Sequence, residues 1–277
     1  MRLSLASVLI ALLIAGCGGH SGPAPLAVGA GPDPESALIG HLYAGALRYY
    51  GSAAEVTTTD ESVGALDSAD VSVLPGFTGR LLERFRPGAT ARSDEQVYRD
   101  LVSALPEGVA AGDYTMSAQD KPTAVVTEAT ASKWDGSDLS ALRHNCAEAR
   151  PGSVAGAAAP TVIGTCTLPA AREFPDDASL FAALRAGTIN VAWSTAADPS
   201  VPSELVVLAD RTGLIRAENL VPLYRRNVLT ESQIRAVNEI AGVLDTGSLA
   251  DMRRQVAEGA DPGAVADEFL QANPLGH

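Results

Sequence analysis

A chain of 277 residues, 46% of them hydrophobic, is long enough to bury one large core or two smaller ones. Its 20 Lys and Arg against 33 Asp and Glu leave a formal net charge of −13, which excludes a nucleic-acid binder, because gripping phosphates requires a basic face. With no G-x-x-x-x-G-K-[ST] phosphate loop and no apolar run of spanning length beyond the first residues, the sequence is neither an ATPase nor a multi-span permease.

The chain starts on a targeting pattern. Arg2 supplies a basic start, residues 3–15 are apolar apart from Ser4 and Ser7, and the run ends in Leu13-Ile14-Ala15-Gly16-Cys17. This is shorter than the ~20 residues a membrane span needs and suits a signal h-region. Small Ala15 and Gly16 directly before Cys17 resemble a bacterial lipobox. The expectation is a signal peptide over 1–16 and a diacylated Cys17 that anchors the protein to the extracytoplasmic face of the cell membrane. A Gly- and Pro-rich tether over 17–25 follows. An ordinary signal peptide with an incidental cysteine is the alternative. In an exported chain the remaining Cys146 and Cys166 read as a disulfide; half of a metal site, with His144 nearby, is the competing reading.

Short β-branched runs then alternate with helical patterns, which predicts an α/β fold with largely parallel sheet. Residues 26–28 form a strand, and Asp33-Pro34 caps a helix with Leu38, Leu42, Ala46 and Tyr49 on one face. A strand over 55–59, a short helix over 62–69, a buried strand over 71–74 and a helix over 77–85 follow. Ser93 with Gln96 reads as a capping box for a helix reaching 105. Further on, strands are expected at 123–127, 161–163, 188–193, 205–208 and 220–224, and helices at 138–144 and 178–186, the latter closed by Gly187. Residues 152–159 read as a small-residue loop. The last third is helical: Thr230 and Gln233 form a capping box before Ile234, Val237, Ile240 and Leu244, and Leu249, Met252 and Val256 continue the stripe. Asp261-Pro262 caps a final helix through 270.

Catalytic signals are missing. The sequence has no G-x-S-x-G, H-E-x-x-H or G-x-G-x-x-G, and His20, His41, His144 and His277 are isolated, so no enzyme activity, metal or cofactor is expected. Asp60-Glu61 and Asp176-Asp177 suit helix starts. Arg225-Arg226 and Arg253-Arg254 read as solvated faces or as contacts to a partner, and Trp134 as a packing residue.

Several segments together resemble one family. Asp70-Val71-Ser72-Val73-Leu74-Pro75-Gly76-Phe77-Thr78-Gly79 is similar to the Asp-x-x-x-x-Pro-Glu-Tyr-Thr-Gly segment of solute-binding proteins for glycine betaine, choline and related osmoprotectants. Thr188-Ile189-Asn190-Val191-Ala192-Trp193-Ser194-Thr195 resembles their Val-Asp-x-x-x-Tyr-Ser-Thr segment, and Leu205-Val206-Val207-Leu208-Ala209-Asp210 their Leu-Val-Val-Leu-x-Asp strand. The likeness runs on through Asn219-Leu220-Val221-Pro222, Asn238-Glu239-Ile240-Ala241-Gly242 and Asp261-Pro262.

The resemblance implies a two-lobed, type II periplasmic-binding fold with a cleft between the lobes and C-terminal helices. Lobe 1 would take 26–118 and the helices of 224–277, and lobe 2 would take 119–223. A monomer would hand a small molecule to the permease and ATPase of an ABC importer. In the family, ring faces box the quaternary ammonium, which offers no hydrogen bond and is held at ~0.5–2 kcal/mol per contact. Onto that box fall Phe77 and Trp193, expected to face each other across a gap hinged near Thr123 and Glu218. Thr123 and Glu218 replace rings, Lys121 replaces an amide, Arg80 stands where a threonine is frequent, and Asn219 follows Glu218. A nearby Lys121 would repel a trimethylammonium by ~1–4 kcal/mol. The implied ligand is therefore either glycine betaine or choline, or a polar molecule with a flat part stacked between the rings and bonded by Glu218, Lys121 and Thr123. For betaine to bind, Glu218 and Lys121 would pair together or face solvent. The other function class is a cell-envelope sensor or interaction lipoprotein that keeps the fold without quaternary-ammonium binding.

Overall fold

A computed structural model describes residues 24–60 and 63–276. The signal segment, Cys17 and most of the tether lie outside the described residues. Among the described residues no helix is long and apolar enough to cross a membrane.

The first half begins with β1 (Leu26–Ala30), α1 (Pro34–Tyr49), β2 (Ala54–Thr58), α2 (Val63–Asp67) and β3 (Val73–Phe77). It continues with α3 (Thr78–Phe85), α4 (Asp94–Ala104) and β4 (Val109–Ala111). The second half holds β5 (Pro122–Val126), α5 (Glu128–Lys133), α6 (Leu139–His144), β6 (Pro151–Val154), β7 (Val162–Ile163) and β8 (Cys166–Thr167). It is completed by β9 (Arg172–Phe174), α7 (Asp177–Arg185), β10 (Val191–Thr195) and β11 (Val206–Val207). The chain then returns to the first half as β12 (Leu220–Arg225), α8 (Glu231–Val243), α9 (Thr246–Ala257) and α10 (Pro262–Ala272).

Two five-stranded sheets result, in the orders β2-β1-β3-β12-β4 and β11-β5-β10-β6-β9. Both are mixed rather than largely parallel. β1 runs parallel to β2 and β3, and β6 runs parallel to β10 and β9, but β12 and β5 enter antiparallel to their neighbours. Those antiparallel strands are the ones that adjoin the crossings between halves. β12 pairs with β3 from Leu220 to Tyr224, so the chain re-enters the first half before 220, not after 223.

Alternation along the strands puts a core on each face of each sheet. In the first sheet, Val28, Val73 and Leu220 meet α1 and α8–α10, while Leu74, Val221 and Leu223 meet the side of α2–α4. In the second, Ala124, Val126, Val191 and Trp193 pack with residues of α5 and α6, and Val125 and Ala192 with Leu180, Phe181 and Leu184 of α7. The caps follow the sequence pattern: Asp33 accepts from Ser36 N–H, and Thr230 and Gln233 form the reciprocal box.

The segment 152–159 departs from its reading as a loop, because Gly152, Ser153 and Val154 form β6 between β10 and β9. A Cβ on Gly152 would lie 2.7 Å from Ile189 and 2.8 Å from Phe174, so this glycine marks close packing. Cys146 and Cys166 form a disulfide with Cα atoms 5.9 Å apart, and this uses both thiols of the competing metal reading. The bridge closes a 20-residue separation, worth about 3 kcal/mol by loop entropy.

Candidate ligand-binding cleft

In open α/β sheets ligands bind beyond the carboxyl ends of the parallel strands. Here both sheets present that end to the same space. The first half contributes the ends of β1 and β3 and the start of α1, where Asp33 caps the helix and Glu35 sits in its first turn. The second half contributes the end of β10, the start of α7 at Asp177, and Asp198. A cavity of about 380 Å³ joins the two halves, lined by Glu35 and Arg253 from one side and Asp177 and Asp198 from the other.

Arg253, on α9, links these groups. Its Nη1 lies 3.3 Å from Glu35 Oε1 and 3.1 Å from Asp120 Oδ1, and donates to Thr195 Oγ1 at 3.5 Å. Asp120 lies on the outgoing crossing and its side chain is 1% exposed. Its Oδ1 also accepts Ala197 N–H at 2.9 Å. Its Oδ2 has no hydrogen bond, only an ion pair at 3.6 Å with Arg80 Nη2. Glu35 Oε1 is likewise buried without a hydrogen bond. Burial pushes the Glu35 carboxyl up to about 7, opposed by Arg253 and reinforced by Asp120. Burial, then the charge of Asp198, raises Asp177 too.

The residues singled out from the sequence divide between several places. Phe77 ends β3 and packs with Leu38, Leu42 and Leu220; it lines a recess of about 290 Å³ with Asp33, Glu35 and Arg80. The Arg80 guanidinium stands over its ring, 4.6 Å from the centroid. Trp193 lies 1% exposed in the second half's core and lines a different recess, of about 220 Å³, with Ser194, Thr195, Asp198 and Arg253. The two rings therefore do not face each other across one gap. Trp193 pairs with Ala124 across β10 and β5, and this register turns the indole onto the face packed with α5 and α6. Its Nε1 is buried with no partner.

Lys121 pairs with Asp210 at 3.1 Å, neither with Glu218 nor with solvent. Glu218 accepts the N–H groups of Gly79 and Arg80, the latter at 2.9 Å, so it caps α3. Thr123 is buried with Oγ1 unpartnered. Asn219 ties the return crossing: its N–H donates to Thr78 Oγ1 at 3.0 Å and its Nδ2 to Thr115 O at 2.7 Å. Sequence reasoning missed Asp120 and read Arg253 as part of a solvated face or a contact to a partner. A signal for Arg253 existed, because it falls four residues after Leu249 and three before Val256, within the buried stripe of α9.

A profile of the OpuAC family, described as the substrate binding domain of ABC-type glycine betaine transport systems, matches residues 24–272. The chain belongs to this family. Among solved structures, a glycine betaine/carnitine/choline ABC transporter protein shares 16% identity at a TM-score of 0.74, over 90% of this chain and 98% of that one. Apo YehZ from Escherichia coli shares 21% at 0.70, over 90% and 99%. A lactococcal OpuAC complexed with glycine betaine shares 13% at 0.55, over 90% and 96%. No curated protein matches the sequence. The fold is the two-lobed type II periplasmic-binding fold, and the chain is the extracytoplasmic substrate-binding component of an ABC importer.

Proposed function

We propose that this OpuAC-family protein captures a small molecule carrying a compact cationic group in the cleft between its halves and delivers it to a permease and ATPase. A diacylated Cys17 holds it to the outer face of the cell membrane. One observation carries the ligand class: Glu35 Oε1 and Asp120 Oδ2 are buried carboxylate oxygens without hydrogen bonds, at the meeting point of both halves. Keeping a carboxylate charged in a buried place is costly, and a cation supplied from solution lowers that cost through its charge. Carboxylates here supplement an aromatic surface reduced to Phe77, since Trp193 is packed in the second half's core. Glycine betaine and choline both carry such a cation, which favours them over neutral hydroxylated aromatics.

Calorimetry with glycine betaine, choline and a panel of neutral hydroxylated aromatics tests the ligand class. Heat of binding from glycine betaine and choline, which both carry a trimethylammonium, and none from the neutral panel is expected; binding confined to the neutral panel overturns it. The anchor is tested separately by Cys17→Ser, which should move the protein from the membrane fraction to the soluble extracytoplasmic fraction. Unchanged membrane retention contradicts the lipid anchor.

A further inference from the structure

We propose that Arg80 is a built-in occupant of the cation position in the cleft and thereby sets which ligands it admits. The inference rests on the cationic-ligand reading above. A compact ammonium needs two things from a protein: a ring face and a buried counter-charge. The Arg80 guanidinium has both. Its Cζ lies 4.6 Å from the Phe77 ring centroid, and its Nη2 lies 3.6 Å from Asp120 Oδ2, the buried carboxylate oxygen that lacks a hydrogen bond.

The backbone of Arg80 is fixed while its side chain is not. Arg80 N–H donates to Glu218 Oε2, and a Cβ on Gly79 would lie 2.6 Å from Ala217 O and from Glu218 Oε1, so the start of α3 is pressed against the return crossing. The Arg80 side chain is nonetheless 54% exposed. It can swing into water and keep its hydration, whereas Arg253, on the other side of Asp120, is only 21% exposed and is held by Glu35 and Thr195 as well. An incoming cation therefore displaces Arg80 and leaves Arg253 in place. The ligand must outcompete a tethered guanidinium for Phe77 and Asp120, so affinity for a simple quaternary ammonium is held down.

The test titrates choline, which has no carboxylate, into the wild type, Arg80→Gln and Arg80→Lys. Loss of the competing charge should tighten choline binding about tenfold in Arg80→Gln, the scale of one cation–ring contact. Arg80→Lys keeps a tethered cation, though not the flat group that stacks on the ring, and should tighten choline binding less than Arg80→Gln does. The ligand-free melting temperature, read alongside, checks that each variant is folded; Arg253 still faces Asp120 in all three. Equal or weaker choline binding by Arg80→Gln overturns the inference while leaving the cationic-ligand reading intact. No choline binding by any of the three proteins, with heat from the neutral panel instead, overturns both.

Discussion

The chain crosses between its halves twice, and each crossing buries one carboxylate. On the return crossing, Glu218 accepts two backbone N–H groups at the start of α3. On the outgoing crossing, Asp120 has one oxygen bonded to Ala197 N–H and the other bonded to nothing, facing Arg80 only as an ion pair. Both acids are nearly inaccessible, yet their accounts of hydrogen bonds differ. Glu218 completes the protein's own structure, and Asp120 retains capacity for something added. Burial alone does not mark a binding group; burial with an oxygen left open beside an exposed arginine does.

Three measurements sharpen that contrast. The largest effect is expected from Asp120→Asn, which removes the charge and keeps the shape. Loss of the unit charge facing the trimethylammonium, about 1–4 kcal/mol at contact range, corresponds to choline binding weaker by roughly 5- to 1000-fold in a titration. Binding within twofold of the wild type would put Asp120 in the same structural class as Glu218.

An intermediate effect concerns Glu35, whose carboxyl is pushed up to about 7 by burial. A cation bound beside it favours the ionised form, so binding near neutral pH should release a proton and affinity should rise with pH through about 7. Calorimetry in buffers of differing ionisation enthalpy reads the proton directly. Glu35→Gln should release none; undiminished release in that variant would place the titrating group elsewhere.

The smallest effect is expected from Glu218→Gln. Burial raises the folded-state value from 4.5 to about 7, so between these values the folded chain holds a proton that the unfolded chain has lost. That contribution to stability is complete below 4.5 and disappears as pH rises through about 7. The melting temperature of the wild type should therefore fall over this window, with part of the fall removed in Glu218→Gln and choline affinity unchanged. A choline affinity that drops in parallel with Asp120→Asn would erase the distinction between the crossings.

Local signals carried much of the fold. Asp33-Pro34, Thr230 with Gln233, and Gly187 each state a helix end in a few adjacent residues, and the helices stand where those residues put them. β8 and β9, of two and three residues, are too short to show an alternation. β6 was hidden because Gly152 resembles loop composition, while its actual constraint comes from Phe174 and Ile189. The site was less legible for the same reason. Phe77 and Arg80 sit three residues apart, and their contact with each other is local. Asp120, Glu35 and Arg253 meet across 133 positions or more for the arginine, and no motif records that meeting. The register of β10 that turns Trp193 inward likewise depends on its pairing with Ala124.

A crystal structure of the protein grown with choline tests the central claim most directly. The trimethylammonium should lie against Phe77 with Asp120 Oδ2 as its nearest anionic atom, and the Arg80 guanidinium should have moved off the ring. A ligand held elsewhere, with Asp120 still contacting only its two arginines and Ala197, would contradict the account.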